Sequence, residues 1–328
     1  MEFSKKSISH FATPKAVRFS ENRFIFTTQP RFFALLLMKY LFLQRMTSVP
    51  EKKFIDIEEV IKSKNPQLLK VLPRFIVSYI KRIVHEDHVN EFIRIHGHKT
   101  SFEFVDAIIE EFKPVVTYSG LENLPASGGA VVAANHPLGG LDAMALMNAV
   151  GQKRRDIKFI VNDVLLNIKN FESEFIGVNK HGKNSSQTLD LIDSYYNSEQ
   201  LVLIFPAGLV SRKQEKGIIK DLEWKKSFIV KAKKFKKDII PVHISGNNSN
   251  FFYNLAKLRQ KVGIKANIEM FYLMDEMYHQ KDKEIHITFG KPISYTVFTN
   301  KFSDQVWAQK VKSHIYSLVD GKPSVDFH

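Results

Sequence analysis

From Val115 onward the chain alternates between two textures, and that alternation limits the fold more than any other feature. Short β-like apolar runs stand at 130–134, 158–161 (KFIV), 201–205 (LVLIF), 238–244 (DIIPVHI) and 285–289 (IHITF). Helical stretches lie between them at 141–150, 187–197, 222–237 and 251–262. Strands that alternate with helices build an α/β sheet with crossover connections. The expected core is a mixed, mostly parallel central sheet flanked by helices, occupying 113–328. Ahead of it, 46–112 reads as a helical N-terminal region. Leu68, Leu69, Leu72, Phe75, Ile76, Tyr79, Ile80 and Ile83 recur at three- and four-residue spacing, with Pro73 kinking the turn. Phe102, Val105, Ile108, Ile109 and Phe112 repeat the pattern, and Pro114 closes it.

The 328 residues carry a net charge of +14, concentrated in two places. Residues 1–45 contribute +6, and the segment from Arg212 to Lys237 contributes +8 with ten lysines and one arginine against Glu215, Asp221 and Glu223. A local basic face seeks an anionic partner, either phospholipid head groups or an acidic carrier. Nucleic acid fits less well, because no recognisable binding module accompanies the charge. There are no cysteines, which excludes disulfides, thiolate metal sites and cysteine nucleophiles. The apolar run Phe32–Met38, interrupted at Lys39, is too short to span a bilayer and is not followed by a small-residue cleavage site. Residues 1–45 are expected to be a disordered or non-native extension. The rest is expected to be soluble or to lie on a membrane surface.

Two turns carry chemistry. The first, AANHPLGGLD, follows the apolar run 130–134 and holds His136 and Asp142 six positions apart. A histidine at the carboxyl end of a buried strand sits where open α/β sheets place ligands. Asp142, in the first turn of the next helix, is placed to bind one imidazole nitrogen and leave the other free to take a proton. Gly139 and Gly140 are expected to let backbone amides approach a substrate, and a helix N-terminus could support a developing oxyanion. The plain alternative is an ordinary Asn-His-Pro turn with a helix-capping aspartate. The second turn, FPAGLVSR at 205–212, follows LVLIF. Its Pro206 and Gly208 bend the chain out of the sheet, and Ser211 and Arg212 offer a hydroxyl and a forked cation for a carboxylate or phosphate.

Together with a third strand ending IPVHISG, these boxes resemble the glycerolipid acyltransferase family, in order across 115–245. That family carries Asn-His-x4-Asp, whereas this chain has Asn135-His136-x5-Asp142; the family's Phe-Pro-Glu-Gly-Thr-Arg-Ser box is Phe205-Pro206-Ala207-Gly208-Leu209-Val210-Ser211-Arg212 here. Both departures, and the segment 224–260, look like the haemolysin-like or ornithine/glycine-lipid O-acyltransferase branch, and they put glycerol phosphate in doubt as acceptor. The resemblance implies a glycerol-3-phosphate acyltransferase-like fold. It implies that His136, held by Asp142, deprotonates an acceptor hydroxyl that attacks an acyl thioester directly. Arg212, with Ser211 and Gly208, would hold the acceptor's head group, and Lys180 and Lys183 would line the pocket. No cofactor is implied beyond the donor itself, acyl carrier protein or coenzyme A thioester, and no metal. The acceptor would be a lysolipid, preferably a lyso-amino-acid type and otherwise lysophosphatidate, met at the cytoplasmic inner face of the cell membrane by a peripheral protein. A non-catalytic membrane-surface binder is the reading from a different class.

Three other features are set aside. G-x-x-x-x-G-K at 177–183 is followed by Asn184, where a P-loop needs Ser or Thr. His85, His88, His96 and His98 cluster without a carboxylate pattern of a known metal site and read as surface histidines at helix ends. A serine-hydrolase elbow G-x-S-x-G is absent.

Overall fold

The computed structural model describes residues 53–178, 185–264, 267–319 and 327. The expected extension at 1–45 lies outside these residues, as do Lys180 and Lys183. The N-terminal region is helical, as its periodicity predicts: α1 (Ile57–Lys64), α2 (Pro66–Val71), α3 (Arg74–Ile83), α4 (Glu86–His96) and α5 (Ser101–Phe112). Pro73 stands at the N-cap of α3, so it separates two helices and does not kink one. Glu86, buried at the start of α4, accepts from the Ile57 amide (3.0 Å) and from Lys53 Nζ (2.8 Å), which ties the first helix to the fourth.

The central sheet has seven strands: β1 (Val115–Ser119), β2 (Ala130–Ala134), β3 (Ile157–Asn162), β4 (Phe175–Val178), β5 (Leu201–Ile204), β8 (Ile239–Ile244) and β9 (Glu284–Phe289). A separate two-stranded hairpin, β6 (Arg212–Lys213) with β7 (Ile219–Lys220), leaves the sheet after β5. The sheet order is β1-β9-β8-β2-β5-β3-β4. Five of its six pairings are parallel, and only β8 with β9 is antiparallel. The mixed, mostly parallel α/β architecture expected from the alternation is the one observed.

The central strands read as unbroken apolar runs because both faces are covered. On one face Ala130, Val132 and Ala134 of β2 and Leu201 and Leu203 of β5 pack with α5 and α6 (Gly140–Gly151). On the other, Val131, Ala133, Val202 and Ile204 pack with α7 (Ser186–Tyr196), α8 (Ser227–Phe235) and α11 (Asp304–Ser317). Each large aliphatic side chain buried in these layers contributes about 1.5–3 kcal/mol. Two helices complete the chain order, α9 (Asn250–Lys261) and α10 (Leu273–Tyr278).

The helix expected over 222–237 is shorter than the pattern suggested. Residues 222–226 precede α8, and Trp224 is buried there by its own contacts: its indole N–H donates to Asp221 Oδ2 at 2.8 Å. Much of the positive charge on α8 is neutralised internally. Lys231 and Lys234 both pair with Asp193, and Lys233 pairs with Asp304.

Candidate active site

The carboxyl ends of β2, β5 and β8 lie side by side and project the two chemistry-bearing turns. Asn135, directly after β2, extends the ladder with its side chain. Its Nδ2 donates to the Ile244 carbonyl at 2.9 Å, and its Oδ1 accepts from the Ile244 amide at 2.7 Å. That two-bond clamp fixes the residue preceding His136 against the end of β8.

His136 and Asp142 meet as the spacing predicts. Imidazole Nδ1 is 2.9 Å from Asp142 Oδ2, which also accepts from the Leu138 amide (2.8 Å) and the Gly139 amide (2.9 Å). The carboxylate is buried, and Oδ1 has no partner. An acceptor at Oδ2 assigns the ring proton to Nδ1 and leaves a lone pair on Nε2. The ring keeps 17% of its side-chain surface exposed and stacks on Phe205, with centroids 4.2 Å apart and planes 15° from parallel. Burial pushes the Asp142 carboxyl above its ordinary range, more than the imidazole and the two amides draw it down.

Gly139 makes this loop possible in a way that differs from the expectation. Its φ of +99° and ψ of −132° lie where only glycine is comfortable, and a Cβ there would press to 3.2 Å on Leu273. The Gly139 amide, however, is engaged by Asp142 and the residue is buried. Gly140, the first residue of α6, is exposed.

The second turn packs directly behind the first. The Ser211 amide donates to the His136 carbonyl at 2.7 Å, and Ser211 Oγ donates to Asp221 Oδ1 at 2.6 Å. Asp221 Oδ1 also accepts from the His136 amide at 3.2 Å. Sequence reasoning did not single out Asp221. The available signal was an acid, followed by Leu222 and Trp224, inside the most basic run of the chain. Fully buried, it holds the backbone on both sides of the reactive ring. Gly208 sits exposed at the tip of the turn with φ +63°. Ser211, buried with its hydroxyl donating to Asp221, braces the histidine loop.

Arg212 already has internal partners. Its side chain is only 6% exposed, and its Nη2 donates to the fully buried Glu269 at 2.8 Å while Nη1 donates to the Val210 carbonyl at 2.7 Å. The fork is therefore engaged from inside, Nη2 by a carboxylate and Nη1 by backbone carbonyls, which nothing in the local sequence around 205–212 could reveal. A cleft of about 260 Å³ flanks the histidine loop and is lined by Asn135, Pro137, Ser211, Lys220, Ser245 and Tyr316, among others. It reaches the neighbours of His136 and not the imidazole itself.

The four N-terminal histidines do not converge on one point. His85 bonds Asp275 (2.5 Å), His88 bonds Glu111 (2.7 Å), and His96 packs on Phe92. Among the described residues no group of three or more potential ligands could hold a metal ion. None of the described helices is long and apolar enough to cross a membrane.

A base-competent imidazole on a buried carboxylate, with no hydroxyl or thiol nucleophile bonded to it among the described residues, suits transfer of a group to an external acceptor. The family model described as Acyltransferase matches residues 59–324, and the chain belongs to that family of acyltransferase enzymes. It is 40% identical over 265 residues to a lyso-glycine lipid O-acyltransferase of Bacteroides thetaiotaomicron, covering 80% of this chain and 97% of that protein. A lyso-glycine lipid O-acyltransferase of Phocaeicola vulgatus is 41% identical over 265 residues, covering 80% of this chain and 95% of that one. The crystal structure of the 1-acyl-sn-glycerophosphate (LPA) acyltransferase PlsC from Thermotoga maritima aligns more distantly, at 15% identity and a TM-score of 0.43, over 88% of this chain and 97% of that one.

Proposed function

We propose that this acyltransferase moves a fatty acyl group from a carrier-protein or coenzyme A thioester to the hydroxyl of a lyso-amino-acid lipid of the glycine type. The observation that carries the reading is the His136–Asp142 pair at 2.9 Å, with the Nε2 edge turned away from the carboxylate. Nε2 takes the proton of the acceptor hydroxyl as its oxygen attacks the thioester carbonyl. Asp142 stabilises the imidazolium that results. When the tetrahedral intermediate collapses, the C–S bond breaks and the imidazolium returns its proton to the departing thiolate. The hydroxyl of Ser211 is committed to Asp221, in keeping with direct transfer and no acyl-enzyme. Preference for an amino-acid head group is supported by the two relatives, which are lyso-glycine lipid O-acyltransferases.

The donor is anionic in either form. Lys216, Lys225 and Lys226, exposed beside the second turn, are the cations suited to meet it. The acceptor resides in a bilayer, and exposed apolar side chains support work at a membrane surface. Val71 and Phe75 are 76% and 73% exposed, and Tyr79 hydrogen-bonds Tyr272 (2.7 Å), whose ring packs on exposed Phe251 (4.9 Å). Exposed Lys70, Arg74 and Lys257 lie on the same elements.

The test is acceptor-dependent release of carrier thiol from an acyl thioester, measured on a panel of lysolipids. Consumption of a lyso-glycine lipid is expected. Turnover of lysophosphatidate alone would replace the acceptor, and vesicle binding with no turnover on any acceptor would sink the catalytic reading.

A further inference from the structure

The cleft beside the histidine loop gathers donors that have nothing to donate to. It opens past the carboxyl ends of β2 and β8, the rim at which open α/β sheets hold their ligands. Lys220 lines it, with Nζ 4.6 Å from the centre of the Tyr316 ring, and has no carboxylate partner among the described residues. The turn after β8 adds three more donors. Ser245 Oγ accepts from the His286 amide at 2.8 Å, which leaves its own proton to give. Gly246 and Asn247 line the same cleft, and neither of their amides donates to any described residue. Successive free amides make an anion-binding concavity, since an N–H without an acceptor seeks one. Gly246 holds the turn at φ +111°, where a Cβ would also come within 3.1 Å of Leu138. The nearest acid in the chain does not compete for these donors. Asp221 is fully buried, and its carboxylate is taken by the His136 amide, Ser211 and Trp224.

We propose that this cleft is a carboxylate-binding site that takes the head group of an amino-acid acceptor. One lysine with neutral N–H and O–H donors balances a single negative charge, whereas a phosphate monoester brings more than one. Backbone concavities recur as captors of terminal carboxylates. The position suits a head group. Pro137 lines the cleft directly after His136, and Lys220 precedes Asp221, which accepts from the His136 amide at 3.2 Å. The imidazole lies outside the cleft, so the carboxylate is held beside the reactive loop and the hydroxyl is left to meet Nε2. The inference rests on the lysolipid acyltransferase reading above. A free small carboxylate would find the same donors, and the experiment separates the two sources.

The experiment gives full-length wild type and Lys220→Met a lyso-glycine lipid or its carboxyl methyl ester, with one acyl thioester. Wild type is expected to show a KM about tenfold or more lower for the acid than for the ester. Lys220→Met is expected to raise the KM for the acid by about tenfold, keep kcat within about threefold, and bring acid and ester to within about threefold of each other. A lysine that only packed on Tyr316 would shift acid and ester alike, and that result overturns the proposal. Equal KM values in wild type overturn the head-group assignment without any variant, so the test stands even if Lys220→Met fails to fold. N-acetylglycine, followed by ligand-observed NMR, reads the cleft without turnover. It is expected to bind wild type and to weaken about tenfold or more in Lys220→Met. Such binding with no acid-over-ester preference keeps the carboxylate site and assigns it to a free ligand; neither binding nor preference removes the site. Wild type inactive on every lysolipid defeats the functional reading, and N-acetylglycine binding still decides the cleft.

Discussion

Asp142 has one oxygen with three donors and another with none, and the asymmetry suits its task. The donors orient the carboxylate, and the desolvation keeps its field on the imidazole strong. An asparagine at this position would retain an acceptor oxygen for the two backbone amides but could not stabilise an imidazolium. Asp142→Asn is therefore expected to lower kcat by about 10²–10⁴-fold while stability at neutral pH stays within about 1 kcal/mol. The pH dependence has a definite sign. A carboxyl raised by burial binds its proton more tightly in the folded state than in the unfolded one. That contribution is fully present below the unfolded carboxylate value and is lost as pH rises through the raised one. Denaturation midpoints across the acidic range should show this slope in wild type and lose it in Asp142→Asn; equal slopes would remove the effect of burial. Asp221 acts at the same scale but one step away, through the His136 amide and Ser211, so it is a positioning residue and not a catalytic one.

At the scale of elements, the reactive loop is where it is because three strands end together. The apolar runs that became β2, β5 and β8 were legible because strands buried on both faces admit little else than Val, Ile, Leu and Ala. β1 and β4 were not legible. β1 is an edge strand with Val115 and Tyr118 half exposed, and β4 is four residues long, so neither carries a distinctive pattern. The His136–Asp142 pair could be read from spacing, since a tight turn and the first turn of a helix fix where both side chains point. Arg212 could not. Its partner Glu269 lies 57 residues away in a short 3₁₀ turn, and sequence gives no measure of which buried acid reaches which arginine. For the same reason the lysines of α8 looked like a free cationic face until Asp193 and Asp304 were found against them.

For the whole molecule, the proposed work against lipid draws on the excess charge and on the exposed apolar side chains. Substituting Phe75→Glu and Phe271→Glu on the exposed face should weaken co-sedimentation with anionic vesicles by about tenfold or more, since membrane binding scales with buried apolar area and two carboxylates oppose it. Thiol release with a detergent-dispersed acceptor should be little changed in that variant, and unchanged vesicle binding would move the docking surface elsewhere. The central claim, that one imidazole held by one carboxylate takes the acceptor's proton, is tested most directly by acceptor-dependent thiol release in His136→Ala. Loss of at least about 10³-fold in kcat, in a protein that still folds, is the predicted result. A variant that still releases thiol at close to the wild-type rate would contradict it.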